Sequence, residues 1–402
     1  MATRTPLHGK LPRGVQDLFL ADAARRAALE ARLATVFRAW GYAEIVPPTF
    51  EYYENLALGL GSQVQEATYR FLDHRGHTLA LRPDLTVQTA RIVGTKLYDQ
   101  PMPLRFYYTA PVFRYVEVQA GRQREFSQAG IELIGAATPQ ADAEVVAVAV
   151  EALRAAGATD FRVAIGQVDF VRTVLTEAAL PPDAARAVQA AVDRKSQADI
   201  RAALNGYNSP AALLLGQTPS LVGGPAVIDE ARAMAPWPHA QAALDSLAEV
   251  YDWLARYGLA ESIVIDLGEA RGMDYYTGLT FEAFVAGVGF AVVNGGRYDR
   301  LVGLFGPPQP AVGFALDVER LMLALGETPT RDHLPHVLVA ASDAPAALAA
   351  VARLRADGRC VEMDVLGRSL DDLLAYAAAR GIGCVLAWRG DALVDVAPEY
   401  VR

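Results

Sequence analysis

The chain has 402 residues, of which 52% are hydrophobic and 21% are charged. This length predicts two or three packed domains, and this composition is typical of a globular protein rather than a disordered one. The formal net charge of −9 makes nucleic acid an unlikely main partner, because affinity for a polyanion comes from basic contacts to phosphates.

Signals for targeting, membrane insertion and metal binding are weak. The N-terminus contains Arg4, Lys10 and Arg13 without an apolar segment of signal-peptide length, and no run approaches the length of a membrane span. The two cysteines, Cys360 and Cys384, are too few for a disulfide framework, and with the scattered histidines they form no zinc pattern. We therefore expect a cytoplasmic protein without a metal, a cofactor or a membrane partner.

The first part of the chain predicts a helix followed by strands. Apolar residues recur every three or four positions over residues 22–40, which favours an amphipathic helix, and residues 44–48 are strand-like. Aromatic and apolar residues are concentrated in three more predicted strands, at residues 78–81, 104–114 and 124–134. These elements favour an α+β fold with an antiparallel sheet.

The middle of the chain is predicted to be helical before the strands resume. Residues 140–157 and 170–256 are dominated by Ala, Leu and Arg, with Pro-Pro and Gly-Gly breaks. Strand patterns return at residues 262–266, 280–285 and 290–293, and a helix is predicted over residues 316–325. The sheet is therefore predicted to be interrupted by a helical insertion over about residues 170–260.

The pattern changes after residue 328 to short alternating elements. Strand-like segments at residues 337–340, 360–365 and 384–388 alternate with helical segments at residues 344–356 and 369–379. We predict a small βαβαβ domain with parallel strands over residues 329–402, separate from a first domain of residues 1–328.

An arginine-rich hairpin is predicted around Phe113-Arg114 and Gly121-Arg-Gln-Arg-Glu-Phe126. Arg114 can bind a carboxylate or phosphate through two hydrogen bonds while the loop arginines reach a second anion. An ordinary hairpin with a solvated basic loop has the same pattern, so the motif alone leaves both interpretations open.

Two glycine-bounded segments combine arginine, aspartate and tyrosine. The side chains of Gly268-Glu-Ala-Arg-Gly-Met-Asp-Tyr-Tyr-Thr-Gly278 follow an apolar strand and can converge on a ligand, or the tyrosines can be core residues beside a surface Arg271 ion pair. The glycines of Asn294-Gly-Gly-Arg-Tyr-Asp299 permit close backbone approach, or form a plain Asn-Gly turn. Residues 271–299 are therefore predicted to hold one small polar ligand.

Two further motifs are less specific. Leu81-Arg-Pro-Asp-Leu-Thr86 is a turn beside a strand in which Asp84 can accept from an ammonium group and Thr86 can hydrogen-bond. Gly313-Phe-Ala-Leu-Asp-Val-Glu-Arg320 leads into a helix, where Arg320 can bind an anion or form a surface pair with Glu319. The sequence has no Ser-His-Asp set and no Walker-type loop, so it offers no catalytic residue for a covalent mechanism.

Together and in this order, the segments resemble the class II aminoacyl-tRNA synthetases in their histidine-specific version. The elements up to Pro48 resemble motif 1, the dimerising element, residues 113–128 resemble motif 2, and residues 313–320 resemble motif 3. Residues 271–276 and 295–299 resemble the two signatures peculiar to histidyl-tRNA synthetase. The resemblance implies a class II antiparallel sheet flanked by helices.

The resemblance also implies a binding site for histidine. Acidic groups and an amide suit an α-ammonium group, arginines suit an α-carboxylate, and tyrosines with a glutamate suit imidazole nitrogens. By matching position, the site falls on Asp84, Thr86, Arg114, Gln128, Glu132, Arg271, Tyr275, Tyr276 and Tyr298.

The sequence departs from the synthetase pattern on the ATP and tRNA side. Val116 occupies the glutamate position of motif 2, and strand alternation predicts that Glu117 points to the face opposite Arg114. Asp317 replaces the motif 3 glycine that approaches ATP, and a carboxylate there repels phosphates. Ser127 occupies the position of the motif 2 histidine.

The C-terminal domain resembles a shortened anticodon-binding domain with the wrong charge for RNA. From Arg331 to Arg402 there are eight Arg, no Lys and ten Asp plus Glu, which gives a net charge of −2. The basic stretch expected after Gly367-Arg368 reads Ser-Leu-Asp-Asp-Leu-Leu. An anticodon reader needs a basic surface there.

These departures favour a resemblance to the paralogous family of ATP phosphoribosyltransferase regulatory subunits. That resemblance implies a non-catalytic protein that forms a homodimer through the synthetase-like core and assembles with a short-form ATP phosphoribosyltransferase catalytic subunit. It also implies that bound free histidine transmits feedback inhibition to the first step of histidine biosynthesis. The alternative is an active, divergent histidyl-tRNA synthetase, which the retained Arg114, Arg271 and Arg320 favour.

Overall fold

The computed structural model describes residues 9–117, 122–269, 273, 275–326 and 337–396. The described residues form two compact units, one from residues up to 17 and from 26 to 326 and the other from residues 18–25 and 337–396. The predicted boundary between residues 328 and 329 lies outside the described residues.

The strands of the larger unit form two sheets. In chain order they are β1 (Ala43–Glu44), β2 (Phe50–Tyr52), β3 (Arg70–Leu72), β4 (Thr78–Leu81), β5 (Leu104–Phe113), β6 (Glu125–Ile134), β7 (Phe161–Gln167), β8 (Val222–Gly223), β9 (Ile263–Asp266), β10 (Leu279–Val285), β11 (Ala291–Arg297) and β12 (Ala311–Asp317). The main sheet has the order β1-β5-β6-β12-β11-β10-β7-β9-β8, and a small sheet has the order β2-β4-β3.

The main sheet confirms the predicted class II architecture. Its neighbouring strands run antiparallel except for β1 with β5 and β7 with β9, which are parallel. Strands β6, β12, β11 and β10 are neighbours although long segments separate some of them in the chain. Side chains that are distant in sequence therefore meet on one face of these central strands.

Helices flank the main sheet. Those that precede residue 327 in the described chain are α1 (Leu20–Ala39), α2 (Tyr53–Gly59), α3 (Ser62–Glu66), α4 (Thr86–Lys96), α5 (Pro139–Ala156), α6 (Val168–Glu177), α7 (Pro182–Asp193), α8 (Gln197–Ala203), α9 (Pro210–Gln217), α10 (Ala226–Met234), α11 (Pro238–Arg256) and α12 (Val318–Ala324). Helix α11 packs against α5 and α6. Helices α6 to α11 occupy residues 168–256, where the helical insertion is predicted.

Helix α5 forms the centre of the core, and its sequence explains its limits. The Thr138 side chain accepts a hydrogen bond from the Ala141 backbone N–H at the N-terminus, and Pro139 occupies the first turn, where no N–H is required. Gly157 ends the helix with a φ of 100°, a left-handed conformation that glycine adopts without strain. Alanine and valine fill most of the turns between, so the helix is buried on nearly all sides.

The smaller unit is a four-stranded sheet with helices. Its elements are β13 (Val337–Val339), α13 (Pro345–Ala356), β14 (Val361–Met363), α14 (Leu370–Arg380), β15 (Val385–Arg389) and β16 (Ala392–Asp395). Strand β13 pairs in parallel with β14 and β15, which confirms the predicted parallel βαβαβ arrangement. Strand β16, which pairs antiparallel with β15, was not predicted.

Over the described ranges, no helix has the length and apolar character that a membrane crossing requires.

Several local predictions were wrong. The strand predicted over residues 44–48 is confined to β1, because Pro47 and Pro48 have no N–H to donate to a neighbouring strand. The helix predicted over residues 316–325 begins only at Val318, since the preceding residues belong to β12. The pair Asn294-Gly295, for which a turn was one of two interpretations left open, lies within β11.

Candidate functional site

A cavity of about 460 Å³ opens on one face of the central strands, and we call it the ligand cavity. Eight of the nine residues predicted to bind histidine line it. They are Asp84, Thr86, Arg114, Gln128, Glu132, Tyr275, Tyr276 and Tyr298. The ninth, Arg271, lies outside the described residues.

Strand pairing explains why these residues meet. Gln128 and Glu132 are four residues apart on β6, so their side chains share one face. In the neighbouring strand β12, Gly313 lies opposite Glu132, and Asp317 lies opposite Gln128. Tyr298 comes directly after β11, the next strand in the sheet.

Glu132 lies at the bottom of the ligand cavity and is 1% exposed. The hydroxyl of Tyr298 donates to its Oε2 atom, and the hydroxyl of Tyr108 donates to its Oε1 atom at 3.1 Å. Burial raises the pKa of Glu132 to about 8, although the hydroxyls of Tyr298, Thr86 and Tyr108 favour the charged form. At neutral pH this carboxyl group is therefore mostly protonated and can donate a hydrogen bond.

Tyr108 is a residue that the sequence analysis missed. It is fully buried and lies opposite Gly130 in the pairing of β5 with β6. A Cβ atom added at Gly130 would lie 2.8 Å from the Tyr108 hydroxyl oxygen. A glycine opposite a tyrosine in a predicted hairpin is a signal that could have identified this contact.

Asp84 and Arg114 supply opposite charges on another side of the ligand cavity. The Oδ1 atom of Asp84 accepts from the Val87 backbone N–H at 3.3 Å, near the start of α4. Burial raises the pKa of Asp84, and the charge of Arg114 opposes that rise. The Arg114 Nε atom donates to the Pro83 carbonyl at 2.8 Å, which fixes the guanidinium group beside Asp84.

Gln128 presents an unsatisfied acceptor. Its side chain is 6% exposed, and its Oε1 atom has no hydrogen-bond partner among the described residues. A buried acceptor without a donor costs about 1–3 kcal/mol. A ligand that donates an N–H group in the ligand cavity recovers that free energy.

Aromatic rings and glycines shape the rest of the ligand cavity. Tyr275 stacks on Tyr298, with ring centroids 5.6 Å apart, and meets Tyr276 edge-on at 5.0 Å. A Cβ atom added at Gly296 would lie 2.8 Å from the Tyr276 ring, and one added at Gly313 would lie 1.8 Å from the Glu132 Oε2 atom. Two interpretations were left open for the glycine pair of β11. These distances favour close backbone approach.

A second cavity of about 300 Å³ adjoins the first, and we call it the side cavity. Its lining includes Arg114, Asp317 and Arg320, which also line the ligand cavity, together with Val116 and Arg122. Strand β5 ends at Phe113, so the strand alternation that predicted opposite faces for Arg114 and Glu117 does not apply to these residues. Val116, which occupies the glutamate position of motif 2, lines the side cavity.

Asp317 supplies a carboxyl group where the two cavities meet, beside Arg114 and Arg320. Its Oδ1 atom accepts from the Arg320 backbone N–H at 2.9 Å and so caps α12. Its Oδ2 atom lies 3.2 Å from the Arg320 Nε atom. The carboxylate thus neutralises an arginine that could otherwise attract an anion.

Metal binding finds no support in the described ranges, because no cluster of three or more His, Cys, Asp or Glu side chains is suitably placed there. The ligand cavity is lined by hydroxyl, amide and guanidinium groups and by three carboxyl groups, those of Asp84, Glu132 and Asp317. This set is complementary to a small zwitterion with a polar ring.

Comparisons with known proteins show the family to which the chain belongs. The family model described as histidyl-tRNA synthetase matches residues 14–321. The ATP phosphoribosyltransferase regulatory subunit of Moorella thermoacetica is 43% identical over 97% of this chain and 100% of that relative. Its counterpart from Geobacter metallireducens is 40% identical over 97% of this chain and 92% of that relative. The chain belongs to the ATP phosphoribosyltransferase regulatory subunits, within the histidyl-tRNA synthetase family.

Solved structures of the regulatory subunit family and of synthetases have the same fold. A crystal structure from Bacillus halodurans, described as an ATP phosphoribosyltransferase regulatory subunit/histidyl-tRNA synthetase, has a TM-score of 0.86 and 30% identity over 96% of this chain and 100% of that chain. Histidyl-tRNA synthetase from Nostoc has a TM-score of 0.81 over 98% of both chains, and at 22% identity it shows the fold alone. The predicted class II fold and the predicted family are both confirmed.

Proposed function

We propose that this protein is the non-catalytic regulatory subunit of an ATP phosphoribosyltransferase and that it binds free histidine in the ligand cavity. In this role it assembles with a short-form catalytic subunit and supports the first step of histidine biosynthesis. Bound histidine then inhibits that step by favouring one arrangement of the complex over another.

The chemistry of the ligand cavity is the observation that carries the proposal. The unsatisfied amide oxygen of Gln128 and the carboxylate of Asp84 suit the α-ammonium group, and the guanidinium of Arg114 suits the α-carboxylate. Glu132, which already accepts from Tyr298 and Tyr108, suits a nitrogen of the imidazole ring. Each part of histidine therefore has a complementary group.

The side cavity supports a non-catalytic role. A synthetase must hold the negative phosphates of ATP beside its amino acid, and arginines provide that attraction. Here Asp317 places a carboxylate against Arg320 at the junction of the two cavities. Because the carboxylate is paired with Arg320, it weakens the attraction of that arginine for a phosphate.

A homodimer is part of the proposal, and the small sheet offers a surface for it. Phe50, Tyr52 and Phe71 are 53%, 47% and 41% exposed, and the rings of Phe50 and Phe71 are 5.9 Å apart. Phe50 and Tyr52 lie on one face of β2, and Phe71 on β3 lies on the same face of the sheet, across the middle strand β4. A contiguous apolar face of this kind is typical of a protein interface.

Reconstitution with a purified short-form ATP phosphoribosyltransferase tests the proposal. We expect the two proteins to co-purify, the mixture to have higher phosphoribosyltransferase activity than the catalytic subunit alone, and histidine to reduce that activity. A chain that neither binds the catalytic subunit nor raises its activity would contradict the partner assignment.

A different assay distinguishes the proposed function from the alternative, an active histidyl-tRNA synthetase. An active synthetase exchanges pyrophosphate into ATP when histidine is present, because formation of the adenylate is reversible. We expect no exchange above background. Exchange at rates typical of an enzyme would overturn the regulatory assignment.

A further inference from the structure

The segment between β9 and β10 carries Tyr275 and Tyr276, and two cationic side chains from outside the ligand cavity hold it. Both cations come from the helical stretch of residues 168–256, which contributes no residue to the lining of the ligand cavity. We call this stretch the insertion. Its contacts with the tyrosine-bearing segment carry the following inference, which rests on the proposed binding of histidine.

Arg172, on α6, holds one end of the segment. Its Nη2 atom donates to the Met273 carbonyl at 2.6 Å and to the Tyr276 carbonyl at 2.9 Å, on either side of Tyr275 in the chain. Its Nη1 atom pairs with the Oδ1 atom of Asp169, one helical turn earlier. The forked guanidinium can bridge two carbonyls in this way because its donors are fixed in one plane.

Lys195, which follows α7, holds the other end. Its Nζ atom lies 2.8 Å from the Asp266 Oδ2 atom and 2.6 Å from the Glu269 Oε2 atom. The Glu269 side chain is only 2% exposed, and its backbone carbonyl accepts from the Thr280 hydroxyl at 3.2 Å. Lys195 therefore contacts the buried carboxylate of Glu269, which is the last described residue before Met273.

The backbone of Lys195 has a φ of 52°, a left-handed conformation that costs free energy for any residue with a Cβ atom. This conformation ends helix α7, with the Lys195 N–H donating to the Val192 carbonyl at 2.8 Å and the Ser196 N–H donating to the Ala191 carbonyl at 3.0 Å. The packing around the Glu269 backbone is also tight, since a Cβ atom added at Gly166 would lie 2.6 Å from the Glu269 carbonyl oxygen. The position of Glu269 is thus fixed from two sides.

We propose that Arg172 and Lys195 are positioning residues for the ligand cavity. Arg172 holds the carbonyls of Met273 and Tyr276, and Lys195 holds the side chain of Glu269, so the rings of Tyr275 and Tyr276 are preorganised before histidine enters and binding does not have to order them. The insertion therefore controls histidine affinity without touching histidine. By reciprocity, anything that binds the insertion and moves these two side chains changes the affinity for histidine, and the converse also holds.

Two variants of the full-length chain test this inference. Arg172→Gln removes the fork that bridges the two carbonyls, and Lys195→Met removes the charge beside Glu269 while keeping a side chain of similar length. We expect each to raise the Kd for histidine, measured by calorimetry, by about tenfold, because binding must then order side chains that the wild type holds in place. The thermal unfolding midpoint is measured on the same samples to verify folding.

Arg186→Gln is the matched control. Arg186 pairs with Asp183 one helical turn earlier on α7, as Arg172 pairs with Asp169 on α6, but the pair is exposed. We expect its Kd for histidine to equal that of the wild type. A control variant that weakened binding as much as Arg172→Gln would attribute the effect to the insertion in general and overturn the role of Arg172.

Rescue separates positioning from a general structural role. In Arg172→Ala we expect guanidinium ion at low millimolar concentration to restore much of the histidine affinity, and sodium ion at the same concentration to have no effect. If the Arg172 variants do not fold, Lys195→Met alone decides the question. Variants that fold and bind histidine as the wild type does overturn the inference and leave the proposed function intact, whereas a wild type that does not bind histidine overturns both.

Discussion

At the scale of single residues, burial decides what Glu132 can do. The carboxyl group is enclosed by Tyr108, Tyr298 and Thr86, and its pKa is raised to about 8 because burial outweighs their hydrogen bonds. The imidazole ring of histidine has a pKa of about 6.5 in solution. Between these two values the pair holds one proton, which either group can donate to the other.

We therefore expect histidine affinity to be greatest between about pH 6.5 and pH 8. Below that window both groups carry a proton, and above it neither does, so on either side binding must release or take up a proton and Kd rises by about tenfold per pH unit. Calorimetry from pH 5.5 to about pH 9 measures this profile. A Kd independent of pH across that range would contradict the pairing of Glu132 with imidazole.

Glu132→Gln provides the control for the alkaline side of that profile. The amide is a permanent donor, so the loss of affinity near pH 8 should move to higher pH, where the ammonium group of the ligand itself titrates. The loss on the acidic side should remain, because it belongs to the imidazole ring. An unchanged alkaline limb in this variant would show that Glu132 is not the group that titrates.

At the scale of elements, the junction of β12 and α12 places a carboxyl group beside an arginine in the lining of both cavities. Asp317 ends the strand, caps the helix and pairs with Arg320, so one side chain serves both the local structure and the electrostatics of the two cavities. Aspartate and asparagine cap helices about equally well. The charge can therefore be removed without losing the cap.

We expect Asp317→Asn to bind inorganic pyrophosphate at least about tenfold more tightly than the wild type does at low ionic strength, because a repulsive charge near the phosphates is removed. Titration calorimetry measures the change, and added salt should reduce it. Asp183→Asn, in the exposed pair with Arg186, is the control and should have no effect. Equal pyrophosphate affinities for the wild type and Asp317→Asn would show that this carboxylate does not exclude phosphates.

At the scale of the whole molecule, the apolar face of the small sheet predicts the oligomeric state. Phe50 is 53% exposed in the single chain, beside Phe71. We expect the wild type to sediment as a dimer and Phe50→Lys to sediment as a monomer, because burying an unpaired charge in an apolar interface is costly. Leu213→Lys is the control, since Leu213 is 56% exposed on α9. A dimeric Phe50→Lys would show that the interface lies elsewhere. A monomeric wild type would show that this face does not form a dimer interface.

The sequence by itself determined several of the local elements and the family. Strand β4 coincides with its prediction, and the limits of α1, α5 and α14 lie within two residues of theirs, because side-chain periodicity reflects the face that each element buries. The order of the motifs along the chain indicated the resemblance to the histidine-specific class II synthetases. Family membership is confirmed by the relatives, and the role of each residue towards histidine remains a prediction.

Only the tertiary structure decided how the site works. The hydrogen bond of Tyr298 to Glu132 joins positions 166 residues apart, and the bonds of Arg172 to the tyrosine segment span more than 100 positions. Local sequence patterns carry no information on such pairs, because strand order and helix packing create them. The raised pKa of Glu132 likewise depends on the burial that those long-range contacts produce.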